Sequence, residues 1–119
     1  MSVSDRSIGD IVIVDVVGDL VHNRDYGSLK KRIRQLLDLG HRRLVLNLSQ
    51  VPYVNSWGIG ELATSFVSVR NLKGVMKVAA SQERVTTMLS VSKLDTVIDV
   101  FETEAAALES FATRPAGDA

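Results

Sequence analysis

Leu44-Val45-Leu46-Asn47-Leu48, followed by Val51-Pro52-Tyr53-Val54-Asn55-Ser56-Trp57-Gly58-Ile59-Gly60, decides the architecture of this chain. The first run is apolar almost throughout and reads as a strand covered on both faces. The second starts as a turn and opens into an amphipathic helix, with Asn55 placed to cap it and Ser56 on its first turn. Other strand-like and helix-like segments alternate on either side. That order indicates a mostly parallel sheet with right-handed crossovers.

Upstream, residues 11–17 are nearly all β-branched and read as a strand ending at Gly18, with a shorter strand before it near residues 3–8. Asn23 is expected to cap a helix over residues 24–39. Tyr26, Leu29, Ile33, Leu36 and Leu37 give that helix one apolar face, and Gly40 stops it. The helix after Ser56 turns Ile59, Leu62, Ala63, Phe66, Val67 and Val69 inward. Trp57, Glu61, Thr64 and Ser68 fall on its polar face. Downstream, residues 75–80 and 97–101 read as strands. Ser81 is expected to cap a helix bearing Val85, Met88 and Leu89, and Thr103 a closing helix through Ala105, Leu108 and Phe111. The expected fold is α/β, a central sheet of four or five strands with about four helices. It forms one domain over residues 1–112, and residues 113–119 read as a flexible C-terminal tail.

At 119 residues the chain supports one sizeable core and not two. Its 45% hydrophobic and 24% charged residues are those of an ordinary globular protein. Fourteen basic residues balance fourteen acidic ones, which argues against a general nucleic-acid binder. The absence of cysteine removes disulfides, thiolate chemistry and Cys-based metal sites together. No apolar run approaches the roughly 18 residues of a membrane span, so no membrane insertion is expected. The polar N-terminus is unlike a signal peptide, and a cytoplasmic protein is expected.

Several motifs resemble chemistry that the surrounding residues do not support. Gly58-x-Gly60-x-x-Ala63 matches a dinucleotide fingerprint formally, but no second mononucleotide-binding half follows and no acid ends the next strand. No Walker lysine is present. Ser56 is not in a G-x-S-x-G elbow, because Val54 stands two residues before it. His22 and His41 read as surface histidines, and nothing pairs either with Ser56. No metal or other cofactor is expected, and no catalytic residue.

Two glycines in one helical turn call for an explanation, since each costs roughly 1 kcal/mol relative to alanine. Either the turn packs closely on the sheet, or something must approach its backbone. Trp57, the one tryptophan, aligns with the polar face and is expected to be at least partly exposed, as interface anchors are. Charge is uneven along the chain. Residues 24–43 carry seven cations against Asp25 and Asp38, and from Asp95 onward six acids oppose only Arg114.

From about Ile11 to Phe111 the chain resembles the STAS domain and, within it, the single-domain anti-sigma factor antagonists. The resemblance is carried by Val17-Gly18-Asp19-Leu20, by the strand at residues 44–48 and by Val54-Asn55-Ser56-Trp57-Gly58-Ile59-Gly60. It implies a non-enzymatic partner-switching module whose partner is an anti-sigma factor of the histidine-kinase-like ATPase type, with a phosphatase resetting the cycle. It implies Ser56 as the phosphorylated residue, and a partner-binding surface of Asn55, Ser56, Trp57, Gly58, Gly60 and Glu61. A homodimer stays open. Asn55 stands where the family usually has aspartate, Trp57 where it has a small hydroxyl residue, and Val21 where an acid is common. STAS domains also serve as stressosome scaffold subunits and as soluble parts of transport systems, which is the alternative role.

Overall fold

The computed structural model describes residues 1–112. The expected tail at residues 113–119 lies outside them. Five strands form one sheet in the order β1-β2-β3-β4-β5. They are β1 (Ser2–Ile8), β2 (Ile11–Val17), β3 (Arg43–Gln50), β4 (Val75–Ala79) and β5 (Val100–Phe101). Only the β1–β2 hairpin is antiparallel, and the other three pairings are parallel. Four helices connect and close the sheet: α1 (Ser28–Asp38), α2 (Ser56–Asn71), α3 (Glu83–Val91) and α4 (Glu104–Ala112).

Strand periodicity divides the core into two layers. Val12, Val14 and Val16 of β2 point to one face, with Leu44, Leu46 and Leu48 of β3 and Met76 and Val78 of β4. Leu29, Ile33, Leu36 and Leu37 of α1, Leu62 and Val69 of α2, and Val85 and Leu89 of α3 pack on that face. The alternate residues Ile11, Ile13, Val45 and Ala79 meet Ala107 and Phe111 of α4 on the other. β3 is therefore covered on both sides, as its apolar run requires.

The α4 face has a polar margin. The Arg6 guanidinium bonds Asp15 at 2.8 Å and also Glu104, and the Asn47 amide donates to Glu104 at 2.9 Å. The bond to Arg6 holds the Glu104 carboxyl below the usual carboxylate range. Lys77, buried beside Phe111 with its Nζ 4.1 Å from the ring centroid, donates to Ser110 at 2.6 Å. Burial pushes its ammonium below the ordinary lysine value.

Several expected boundaries move, each for a local reason. α1 starts at Ser28 and not at residue 24. Asn23 closes a turn instead of capping a helix: its side chain accepts the Asp25 N–H at 2.9 Å and its carbonyl the Tyr26 N–H at 3.0 Å. Gly27 then takes a left-handed φ of 93° before the helix begins. Tyr26 consequently belongs to the loop and not to the helix face. Ser81 shares a 2.5 Å hydrogen bond with Thr86 and caps nothing, so α3 begins at Glu83, one residue later than a Ser81 cap would place it. The last strand shrinks to two residues because the Leu94 carbonyl accepts both the Val97 and Ile98 N–H groups, curling that segment while Ile98 enters the core. Thr103 does cap α4, accepting the Ala106 N–H at 3.0 Å, and Gly40 ends the first helix at a φ of 95°.

The connection that matters most for the site links the end of β2 to the start of α2. Leu20 bridges Val54 in parallel and donates to the Tyr53 carbonyl at 3.0 Å. Its own carbonyl lies against Gly58, where a Cβ would sit 2.0 Å from the Leu20 oxygen and 2.6 Å from Val54 Cγ2. Gly60 differs, since a Cβ there would find only the Tyr26 hydroxyl at 3.9 Å. The close-packing explanation thus holds for Gly58 and not for Gly60.

Gly58→Ala is accordingly expected to cost at least about 2 kcal/mol by overpacking. Gly60→Ala should be neutral or stabilise by up to about 1 kcal/mol through helix propensity. Urea midpoints of the two variants check the contrast, and similar midpoints would refute it. A second expectation concerns acid. A carboxyl whose folded value is depressed adds stability above its unfolded value, near 4.5, and loses it as pH falls through the folded value. Glu104→Gln should therefore be less stable than wild type by up to about 1 kcal/mol at pH 7. The two stability curves should converge as pH falls below about 4.5, as read from thermal midpoints across pH.

Candidate functional site

Ser56 is the first residue of α2 and is exposed. Asn55 precedes it in extended conformation, and its side-chain oxygen accepts the Gly58 N–H at 3.1 Å. The expected cap is therefore in place. Among the described residues no hydrogen bond engages the Ser56 hydroxyl. The adjacent Trp57 is 54% exposed, as its alignment with the polar face implied.

Trp57 nevertheless has company that no spacing in the sequence indicated. The His22 ring lies 4.6 Å from it, centroid to centroid, in a tilted arrangement, and the Tyr26 ring meets it edge-on at 5.9 Å. His22 and Tyr26 also pack edge to face at 5.0 Å. Three rings from two segments thus form one wall of the turn that holds Ser56. On another side Tyr53 is 40% exposed, with the Arg84 guanidinium 5.4 Å over its ring. His22 does read as a surface histidine, but the stacking gives it a place in the site.

Glu61 requires a correction. It was expected on the exposed polar face, yet it is 2% exposed, and Ser65 one turn later is fully buried. Conversely Val67, expected inside, is 50% exposed. The reason is that α2 is flanked by both the sheet and α1, so its buried surface is wider than one apolar stripe and is rotated toward Glu61 and Ser65. Glu61 is tolerated there because its Oε2 accepts the Lys30 N–H at 3.1 Å, at the N-terminal end of α1. A group so enclosed does not offer itself to a partner directly. The surface residues of the site are Ser56 and Trp57 together with the rings of His22 and Tyr26, over the backbone of Gly58 and Gly60.

The four helix starts differ electrostatically. α3 carries Glu83 and α4 carries Glu104 in the first turn. α1 has no acid of its own and no side-chain cap, but Glu61 reaches it from α2. At α2 itself the first turn holds no acid and the cap is a neutral amide. Its N–H groups and the positive end of its dipole are met by no carboxyl in its own first turn.

Among the described residues no group of three or more His, Asp or Glu could hold a metal ion. No helix there is long and apolar enough to cross a membrane.

Comparison with known proteins agrees with the fold. Residues 2–107 match the family model of the STAS domain. A Thermotoga neapolitana protein that bears the name of an anti-sigma factor antagonist homolog is 29% identical over 75 residues, which is 63% of this chain and 66% of that relative. A Thermotoga maritima protein named as an anti-sigma factor antagonist is 25% identical over 104 residues, 87% of this chain and 92% of its own length. A crystal structure of an anti-sigma factor antagonist from Thermotoga maritima superimposes with a TM-score of 0.86 at 22% identity, covering 93% of this chain and 95% of that one. At that identity the likeness speaks for the fold. Taken with the family match over nearly the whole length, it means that this chain belongs to the STAS domain family.

Proposed function

We propose that the chain is an anti-sigma factor antagonist that docks a kinase-type anti-sigma factor through the first turn of α2 and so releases the sigma factor. Ser56 is the switch residue in this reading. The observation that carries it is the pairing of an exposed, unengaged hydroxyl with a helix start whose first turn holds no acid and whose cap is a neutral amide. A phosphate brings about −1.5 to −2 charges and three acceptor oxygens. Placed on Ser56 it meets open N–H groups in the free protein, whereas a partner packed on the same turn would have to desolvate it. Asn55 helps here, because a neutral cap repels a neighbouring phosphate less than the aspartate usual in the family.

Trp57 is the contact anchor. Its exposed ring area is large and its orientation is already held by His22 and Tyr26, so little side-chain entropy remains to be lost on binding. The same ring wall supports a second reading, constitutive docking as a scaffold or transport-complex subunit, because an indole beside the serine narrows a kinase's access to it. The two readings differ in what Ser56 does.

Incubation with the cognate anti-sigma kinase and ATP should add one phosphate to wild type and none to Ser56→Ala, as intact mass reports. No mass increase on wild type, with tight binding retained by Ser56→Asp, would favour the scaffold reading instead. In the free protein Ser56→Asp should stabilise the fold by about 0.3–1 kcal/mol at low salt, through the helix dipole. Trp57→Ala should weaken the partner complex by more than about 1 kcal/mol while leaving the unfolding midpoint nearly unchanged. Titration calorimetry and a denaturation curve on the same sample decide that point.

A further inference from the structure

Glu61 is the least expected residue in the molecule. It is a carboxyl at 2% exposure, with no cation within ion-pair distance among the described residues and with Oε1 lacking any hydrogen-bond partner. Its one bond is donated by the Lys30 N–H and accepted by Oε2. A buried polar oxygen left unpaired costs stability, on the order of 1–3 kcal/mol. A leucine in the same space would avoid that cost. What the carboxyl supplies in return is the cap that α1 lacks, since Gly27 at the start of that helix has no side chain to offer.

The consequence lies in the segment just ahead of α1. Residues 21–28 carry His22 and Tyr26, and this loop touches α2 at successive turns. The Trp57 ring meets His22 and Tyr26, the Tyr26 hydroxyl lies above Gly60, and Glu61 holds the Lys30 N–H. Rings fix the front of the loop and the carboxyl fixes its rear. Without the rear attachment the loop is a chain of turns around a left-handed glycine, leading into a helix with an uncapped start.

We propose that Glu61 is a positioning residue: by capping α1 from α2 it holds the 21–28 loop, with His22 and Tyr26, as a fixed wall beside Ser56 and Trp57. The surface offered to a partner is then two segments wide, and Glu61 sets their spacing without touching the partner. The inference builds on the reading of this turn as a docking surface. Its test uses the free protein alone, so it fails or holds separately from phosphorylation of Ser56.

Trp57 is the sole tryptophan, so its fluorescence reports on the wall directly. Three proteins are compared: wild type, Glu61→Gln, which keeps an acceptor oxygen, and Glu61→Leu, which removes both the acceptor and the orphan oxygen. In Glu61→Leu the unfolding midpoint should stay near that of wild type, because the two losses oppose each other. Exchange of the Lys30 amide with deuterium should quicken about five- to tenfold, as for a lost helix cap. The acrylamide quenching constant of Trp57 should rise by about half or more as the rings of the loop loosen. Glu61→Gln should resemble wild type in both. Faster amide exchange with unchanged quenching would make Glu61 a cap and nothing more, and would overturn the proposal. So would a Glu61→Gln protein that loosens as much as Glu61→Leu. If Glu61→Leu does not fold, Glu61→Ala takes its place: faster exchange of the Lys30 amide together with a raised Trp57 quenching constant would uphold the proposal, and either one unchanged from wild type would rule it out.

Discussion

The contact between the Leu20 carbonyl and the backbone of Gly58 governs how this protein presents its surface. Leu20 belongs to the segment leaving β2, and Gly58 to the first turn of α2, which follows β3. Their contact lets two parallel neighbours finish in one compact structure: Leu20 bridges Val54, bonds the Tyr53 carbonyl and leaves its own oxygen where any Cβ on residue 58 would stand. Because the helix cannot move back from the sheet without breaking that bridge, its first residues are fixed in height and direction. Ser56 and Trp57 are exposed as a geometric consequence. The residues that follow Leu20 are carried to the same place, which is why His22 and Tyr26 meet Trp57 at all.

Electrostatics then distinguishes one helix start from the others. In three helices an acid lies at or reaches the N-terminal turn: Glu83, Glu104, and Glu61 supplied to α1 by its neighbour. These acids complement the positive ends of the helix dipoles. At α2 the cap is Asn55, which satisfies one N–H and brings no charge. Glu61 is on α2 and only five residues beyond Ser56, yet it is directed toward α1. The acid nearest in sequence is thus assigned to another helix, and the open end of α2 remains available for an external anion or a covalently attached one.

What could be read from the residues alone follows periodicity and capping. The unbroken apolar run of β3, the β-branched run of β2 and the Asn55 cap lie where a local reading puts them, since each depends on chemistry within a few residues. The misplaced features depend on partners distant in sequence. Asn23 has the composition of a cap, but Gly27 and the turn bonds at residues 23–28 compete with the helix and win. Glu61 looks like a solvent residue on any helical wheel. Only the position of Lys30, 31 residues earlier, gives it a reason to be buried. His22 has no sequence signal linking it to Trp57, and the two meet because Leu20 and Val54 do.

In the proposed reading, the same features let this member of the family keep a docking surface while changing its chemistry. Where acids are usual at the turn and after the Gly-acid-Leu segment, this chain has Asn55 and Val21, and it adds an indole at 57. Losing charge at an interface reduces long-range steering and the penalty for wrong partners. Adding a held aromatic ring raises the buried apolar area at low entropic cost. Under the proposed docking role, recognition therefore shifts from charge pattern toward shape, and shape demands that the rings be kept in register. On the proposed positioning role, that demand accounts for an acid in the interior: one oxygen of Glu61 is left unpaired where it lies, while the other caps α1 and so orders the loop that a surface specified by shape depends on.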